Sequence, residues 1–303
     1  MGVSVRSEKL RELVDESAEV EQVATGFTFT EGPIWMPDGS LHFSDMPGDK
    51  RRRWHPDEGV TVLRDPSNKC NGMTLDNDGD LIVCEHVTSS VVREANAGDG
   101  DRETLATHWG DKELNSPNDV IVASDGSIIF TDPTYGRMPG FGLEREQDLD
   151  FQGVYRIPGG TGELELLVDD FAQPNGLCFS LDESLLYVND TDRAHIRVFD
   201  VGANQRLSNG RVFAENIGTG DLASGELVDG MKLDERGNVY VTGPKGVWVF
   251  DPDGEHLGTI GIPENVGNLN WGEDDWRTLF VAASTSIYRV RMKVGGNRLG
   301  YMR

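Results

Sequence analysis

Apolar and polar positions alternate in short bursts along this chain, and one burst recurs six times. Each copy opens on turn-forming residues, continues with three or four strand residues and usually stops on a polar one. The copies read PDGSLHFSD at 37–45, NDGDLIVCE at 77–85, SDGSIIFTD at 124–132, LDESLLYVN at 181–189, DERGNVYVTG at 234–243 and DDWRTLFVA at 274–282. Their first strand residues are Leu41, Leu81, Ile128, Leu185, Val239 and Leu279, roughly 40 to 57 positions apart. A four-stranded propeller blade takes about that length. The pattern therefore predicts an all-β chain folded as a six-bladed β-propeller.

Further alternating runs supply the outer strands. Third strands are predicted at 91–95, 154–158, 196–200, 247–251 and 287–291, with a poorer candidate, RRRWH, at 51–55. Fourth strands are predicted at 60–64, 104–109, 163–168, 211–215 and 256–260. The sixth blade lacks a fourth strand, and the segment EVEQVATGF at 19–27 is a spare one. It is expected to complete the last blade, joining first to last and removing an exposed edge. No linker interrupts the repeat, so residues 1–303 read as one domain. Residues 1–18 form its N-terminal extension, with a short surface helix at 7–16.

The same period brings oxygen-bearing side chains together. Ten positions before each marker lie Glu31, Asn71, Asn118, Asn175, Asp229 and Leu269. Four positions after lie Asp45, Glu85, Asp132, Asn189, Gly243 and Ala283. In an antiparallel hairpin the start of one strand and the end of the next share an end, so both sets are expected at one mouth of the central channel. Carboxylate and amide oxygens without His or Cys suit a hard divalent cation such as calcium. Turn chemistry alone explains Asn-Gly and Asp-Gly pairs, but it does not ask for Glu at 31.

One connection is long. From Asp132 to Val154 the chain reads PTYGRMPGFGLEREQDLDFQG before the next strand, leaving from the mouth end of blade three. Long loops in compact domains lean functional. Tyr135, Arg137, Met138 and Phe141 are therefore expected to line a substrate pocket or form a lid. His86, next to Glu85, is a further candidate substrate contact.

Composition narrows the partners. A formal charge of −24 repels nucleic acid and anionic membranes, so neither is expected. The N-terminal segment has no apolar run of signal-peptide length, and no stretch approaches a membrane span. A cytoplasmic monomer or small homo-oligomer is expected. Cys70, Cys84 and Cys178 are too few and too scattered for a disulfide framework. No G-x-S-x-G nucleophile elbow or phosphate loop is present, and no His/Cys cluster favours a zinc site.

Several words resemble the family that joins gluconolactonases, the senescence marker protein (regucalcin) and luciferin-regenerating enzyme. They are TEGPIW at 30–35, NSPNDVIVASDGSIIFTDPTYG at 115–136, QPNGLCFS at 173–180 and ELVDGMKLDERGNVYV at 226–241. The likeness runs from about Glu21 to Arg291. It implies a six-bladed propeller with one divalent cation in the central channel, usually calcium, with magnesium, manganese or zinc as alternatives in use. On that pattern Glu31, Asn175 and Asp229 match protein ligands, and Asn118 matches a position that binds metal or substrate. Asp132 resembles a residue that reaches the metal or the substrate.

The chemistry expected of such a site is hydrolysis of a sugar lactone or similar small lactone. The cation would polarise the carbonyl and Asp229 would serve as both ligand and general base, with Asp132 and Glu85 as alternates. Phosphoester or phosphofluoridate hydrolysis at the same cation, and a non-enzymatic binding propeller, are the competing readings.

Overall fold

The structure, a computed structural model, describes residues 2–98 and 100–298. Among the described residues, six antiparallel sheets of four or five strands form the blades, beside one two-stranded hairpin. Each repeated burst is the second strand of a blade: Leu41–Asp45, Leu81–Glu85, Ile128–Asp132, Leu185–Asp190, Val239–Gly243 and Thr278–Ala283. These strands are buried nearly throughout because neighbouring blades cover both faces, which explains why they read as continuous apolar runs.

The turn pairs before them work as the sequence suggests. In blade one the Asp38 carboxylate accepts from the Ser40 backbone N–H at 3.1 Å, and Gly39 takes a φ of +81° that a side chain would disfavour.

Blade six is completed by the N-terminal strand Val20–Thr25, which pairs antiparallel with Ser286–Arg291. The ring is thus closed by the segment whose absence elsewhere predicted it. Two β features were not foreseen. Val3–Val5 adds a fifth strand to blade five, against His256–Gly261. A small hairpin, His108–Trp109 with Lys112–Glu113, follows the outer strand of blade two. Between Val5 and Val20 lies a 3-10 helix, Glu8–Glu12, whose Leu10 is fully buried against blades five and six.

Among the described residues the core is divided among the blade interfaces. One cluster joins blades four and five through Tyr187, Ile196, Val239 and Val241. Another joins blades six and one through Trp35, Phe43, Phe280 and Ile287. The first-to-last contact is therefore packed like the others. Among the described residues no helix is long and apolar enough to cross a membrane.

The inner strands matter most for function. Their register is irregular where the oxygen-bearing residues sit: between Glu31 and Ile34, Cys70 and Met73, Pro174 and Leu177, and Val266 and Asn268. Such bulges bend a strand and redirect side chains. The glycine after a ring residue then lets adjacent blades touch. Gly72 N–H donates to the Asn118 carbonyl at 2.8 Å, and Gly176 N–H to the Asp229 carbonyl at 3.1 Å. A Cβ on Gly72 would lie 2.5 Å from that Asn118 oxygen, and one on Gly176 2.2 Å from the Asp229 oxygen. The Asn-Gly pairs at these positions are close-approach elements between blades, and their Asn side chains are held at one level around the axis.

Candidate functional site

At the mouth end of the channel the inner strands open into a cavity of about 620 Å³. It is lined by Glu31, Asn71, Asn118, Asn175 and Asp229 from blades one to five, with His86, Tyr135 and Phe141 among the residues above them. The predicted ring is thus gathered on one surface.

Hydrogen bonding decides which atoms face the cavity. Thr191 Oγ1 donates to the Val228 carbonyl at 2.8 Å, so it must accept from Asn175, whose Nδ2 lies 3.1 Å away. That fixes the amide, and Asn175 Oδ1 is left buried with no partner. His86 Nδ1 is 2.9 Å from the Phe141 carbonyl, which can only accept, so Nδ1 carries the proton. Burial holds this imidazole down at about 4, hence neutral at pH 7. Its Nε2 therefore accepts from Asn71 Nδ2 at 3.1 Å, and Asn71 Oδ1 too is left buried and unpartnered. Glu31 Oε2 accepts from Gly32 N–H and from Asn268 Nδ2, the latter at 3.0 Å, while Oε1 has no partner.

Three orphaned oxygens from three blades are a strong signal, since buried polar atoms are nearly always paired. The carboxyl groups agree. Burial, then the charge of Asp119, pushes Glu31 up to about 7. Burial, then the charges of Glu31 and Asp119, holds Asp229 well above the usual carboxylate range. Lys232, which ion-pairs with Asp119, opposes the shift at Glu31 as the last of its causes and does not offset burial. Among the described residues no three His, Cys, Asp or Glu side chains are grouped as a metal site. The donor set is instead two carboxylates with amide oxygens, which fits a hard cation that takes uncharged oxygen ligands as readily as charged ones.

Three other predicted contacts lie outside the cavity lining. Asp132 is fully buried and accepts from the N–H groups of Asn115 at 2.8 Å and Ser116 at 2.7 Å. Glu85 is ion-paired with Arg102 and accepts from Asn68 Nδ2 at 3.0 Å and Thr88 Oγ1 at 2.7 Å. Arg137 is buried under its loop, donating to the carbonyls of Asn115 at 3.0 Å and Leu114 at 2.7 Å. Being at a strand end brought the two acids to the mouth, but their oxygens turn back to hold the incoming strand of their own blade. Asp45 does the same for Thr28 N–H, and Asp190, one residue past the predicted Asn189, for Gln173 N–H. Of the loop residues named from sequence, Tyr135 and Phe141 reach the cavity, and Met138 is not part of its lining.

Two residues escaped the sequence reading. Asn268, and not Leu269, is the blade-six residue that touches the ring. The blade-six turn is longer, so Trp271 pairs with Leu279 where Trp35 pairs with Leu41, and a fixed offset misses the position. Asp119 is buried, and its Oδ2 has no hydrogen bond but is ion-paired with Lys232 Nζ at 3.7 Å. Its signal was the word NDVIV, which puts Asp where other inner strands carry Gly after the ring residue.

A six-bladed propeller with an axial, oxygen-lined cavity defines the class. Residues 29–285 match the SMP-30/Gluconolactonase/LRE-like region, and the chain belongs to that family. It is 33% identical to a gluconolactonase of Zymomonas mobilis, over 96% of this chain and 86% of that one. A solved gluconolactonase from Xanthomonas campestris superimposes with a TM-score of 0.87 at 31% identity, covering 96% of this chain and 95% of that one. A calcium-binding regucalcin of Agrobacterium tumefaciens shares the fold, with a TM-score of 0.74 at 18% identity, covering 93% of this chain and 98% of that one.

Proposed function

We propose that this protein is a metal-dependent lactonase that opens a sugar lactone or similar small lactone, working as one cytoplasmic propeller domain. The observation that carries the reading is the pair of buried, unpartnered oxygens, Glu31 Oε1 and Asn175 Oδ1, at a cavity they share with Asp229. Glu31, Asn175 and Asp229 would hold a divalent cation, calcium foremost, with Asn118 beside it. When bound, that ion supplies Lewis acidity to a carbonyl oxygen and charge stabilisation to the oxyanion that develops from it.

The chain's own groups do the rest. Asp229 is part of the cavity wall and, though mostly buried, keeps a minor exposed fraction, so water reaches it. Its carboxylate takes the proton of the attacking water as the new C–O bond forms, and returns it to the ring oxygen as the ring C–O bond breaks. The product is a hydroxy acid. The Tyr135 hydroxyl, buried at the cavity beside Thr191, is a hydrogen-bond donor within the substrate cavity. Asn71 Oδ1, left open by the His86 contact, is an acceptor on blade two. Thr242 Oγ1 accepts from Asp229 N–H at 2.7 Å and keeps that backbone in place.

The direct test is a pH-stat assay of glucono-δ-lactone, with chelator and with calcium restored. Ring opening should stop on chelation and return with the ion. Full activity in chelator, or no opening of this or any other small lactone with any divalent ion, would remove this reading.

A further inference from the structure

The floor of the cavity is oxygen-rich, but its walls have a different chemistry. Phe29 and Phe141 meet edge to face with centroids 6.4 Å apart at 72°. Met46, Leu222, Leu227 and Val266 extend this apolar surface. Phe29 belongs to the segment entering blade one, and Phe141 to the long connection after blade three.

That connection is pinned. His86 Nδ1 donates to the Phe141 carbonyl, and the Glu113 carboxylate of the unforeseen hairpin bridges Arg137 at 3.0 Å and Arg145 at 3.1 Å. The apolar wall is therefore preformed, as ligand pockets usually are.

Several polar groups beside this apolar wall are already engaged. Thr191 Oγ1 both donates and accepts within the protein, Ser284 Oγ donates to the Asn265 carbonyl at 3.1 Å, and both His86 nitrogens are used. No Lys or Arg lines the cavity among the described residues. Lys69, nearby, gives its ammonium group to the Gly140 carbonyl.

We infer that the substrate is an uncharged lactone carrying an apolar substituent, with the ring carbonyl at the Glu31–Asn175–Asp229 floor and the substituent against Phe29 and Phe141. This rests on the lactonase reading. A phosphorylated lactone would bring its anion to a cavity lined by three carboxylates, Glu31, Asp221 and Asp229, and by no Lys or Arg among the described residues; a divalent cation on the floor offsets two of those charges and leaves Asp221 to repel the phosphate. A polyhydroxylated chain would lose water against the apolar wall without gaining partners there. An alkyl group gains burial instead.

The experiment compares kcat/KM in saturating calcium for δ-valerolactone, a δ-lactone with a butyl or pentyl side chain at the ring carbon next to oxygen, glucono-δ-lactone and its 6-phosphate. The alkyl lactone should exceed the unsubstituted ring by roughly tenfold or more, the scale of filling an apolar pocket. The phosphorylated lactone should be the poorest of the four. In Phe29→Ala and, separately, Phe141→Ala, the ratio of alkyl to unsubstituted lactone should fall several-fold, with thermal melting confirming the fold. The wild-type panel stands without the variants. If the alkyl group gives no advantage, or the phosphate is tolerated, the inference is overturned while the lactonase reading stands. If no lactone is opened at all, both fall together.

Discussion

The inner-strand oxygens and the second-strand acids lie at the same end of the propeller, and the sequence repeat marks both. Asp45, Glu85 and Asp132, and Asp190 one residue past the marked Asn189, each accept hydrogen bonds from the entry segment of their own blade, seventeen residues upstream. Their valences are filled by the scaffold. Glu31, Asn71 and Asn175 each keep one buried oxygen unfilled. Residue type and location do not separate these two sets. Satisfaction separates Glu31, Asn71 and Asn175 from those four acids: each orphan costs free energy, and these three share one cavity, whereas other bare buried oxygens such as Asn189 Oδ1 and the Tyr155 hydroxyl do not line it. The scaffold set fixes where the inner strands begin, and so where the bare set is aimed.

The sharpest way to break this comparison is at Asp229. Asp229→Asn keeps size and one oxygen but removes the base. Lactone turnover should fall by about two or more orders of magnitude, on the usual scale of general-base loss. Calorimetry should still detect some cation binding. A variant with full turnover would move the base elsewhere, and Asp119, the other buried acid near Glu31, would be the next to change.

Glu31→Gln comes second. It replaces a charged ligand by a neutral one and should weaken cation affinity roughly tenfold or more in titration calorimetry, at least the loss known for perturbing outer-shell groups. The corresponding change in the scaffold set, Asp132→Asn, should do something else. One of two backbone N–H groups would lose its acceptor, at a cost of about 1–3 kcal/mol in unfolding free energy. Cation affinity should change little. If Asp132→Asn abolished cation binding without lowering the melting temperature, the two sets would not differ as argued.

The comparison also shows what the sequence could and could not reveal. The six-fold burst made the blades legible, and the missing outer strand placed residues 20–25 correctly in blade six. The offset that collected Glu31, Asn71, Asn118, Asn175 and Asp229 worked because five blades share nearly the same turn length. It failed at Asn268, where the turn is longer. Asp132, Glu85 and Arg137 were misplaced for another reason. A one-dimensional pattern gives the end of a strand but not the direction of a carboxylate, and direction depends on which N–H groups are left over nearby. The strand Val3–Val5 was missed because three residues are too few to show a period. The 3-10 helix at Glu8–Glu12 is buried at Leu10 because that strand ties it down.

The smallest expected effect is on pH-dependent stability, and it separates the two sets by a different route. Glu31 and Asp132 titrate at about 7 in the folded chain, against ordinary values of 4.5 and 3.8, and Asp229 lies well above 3.8; burial is the first cause in each. A raised carboxyl pKa means that the folded chain binds more protons than the unfolded one between the two values. Stability in chelator is therefore greatest in this respect below about pH 4, and declines as pH rises towards 7. The melting temperature of chelated protein should fall across that window. A cation competes with protons at Glu31 and Asp229 but not at Asp132, whose oxygens are taken by N–H groups. Added calcium should thus remove most of the decline and leave the Asp132 part. In Glu31→Gln the decline should be shallower and calcium should rescue less of it. A melting temperature that is flat from pH 5 to 7 in chelator would mean that the Glu31 and Asp229 charges are already compensated, and the unfilled set would lose its claim to a cation.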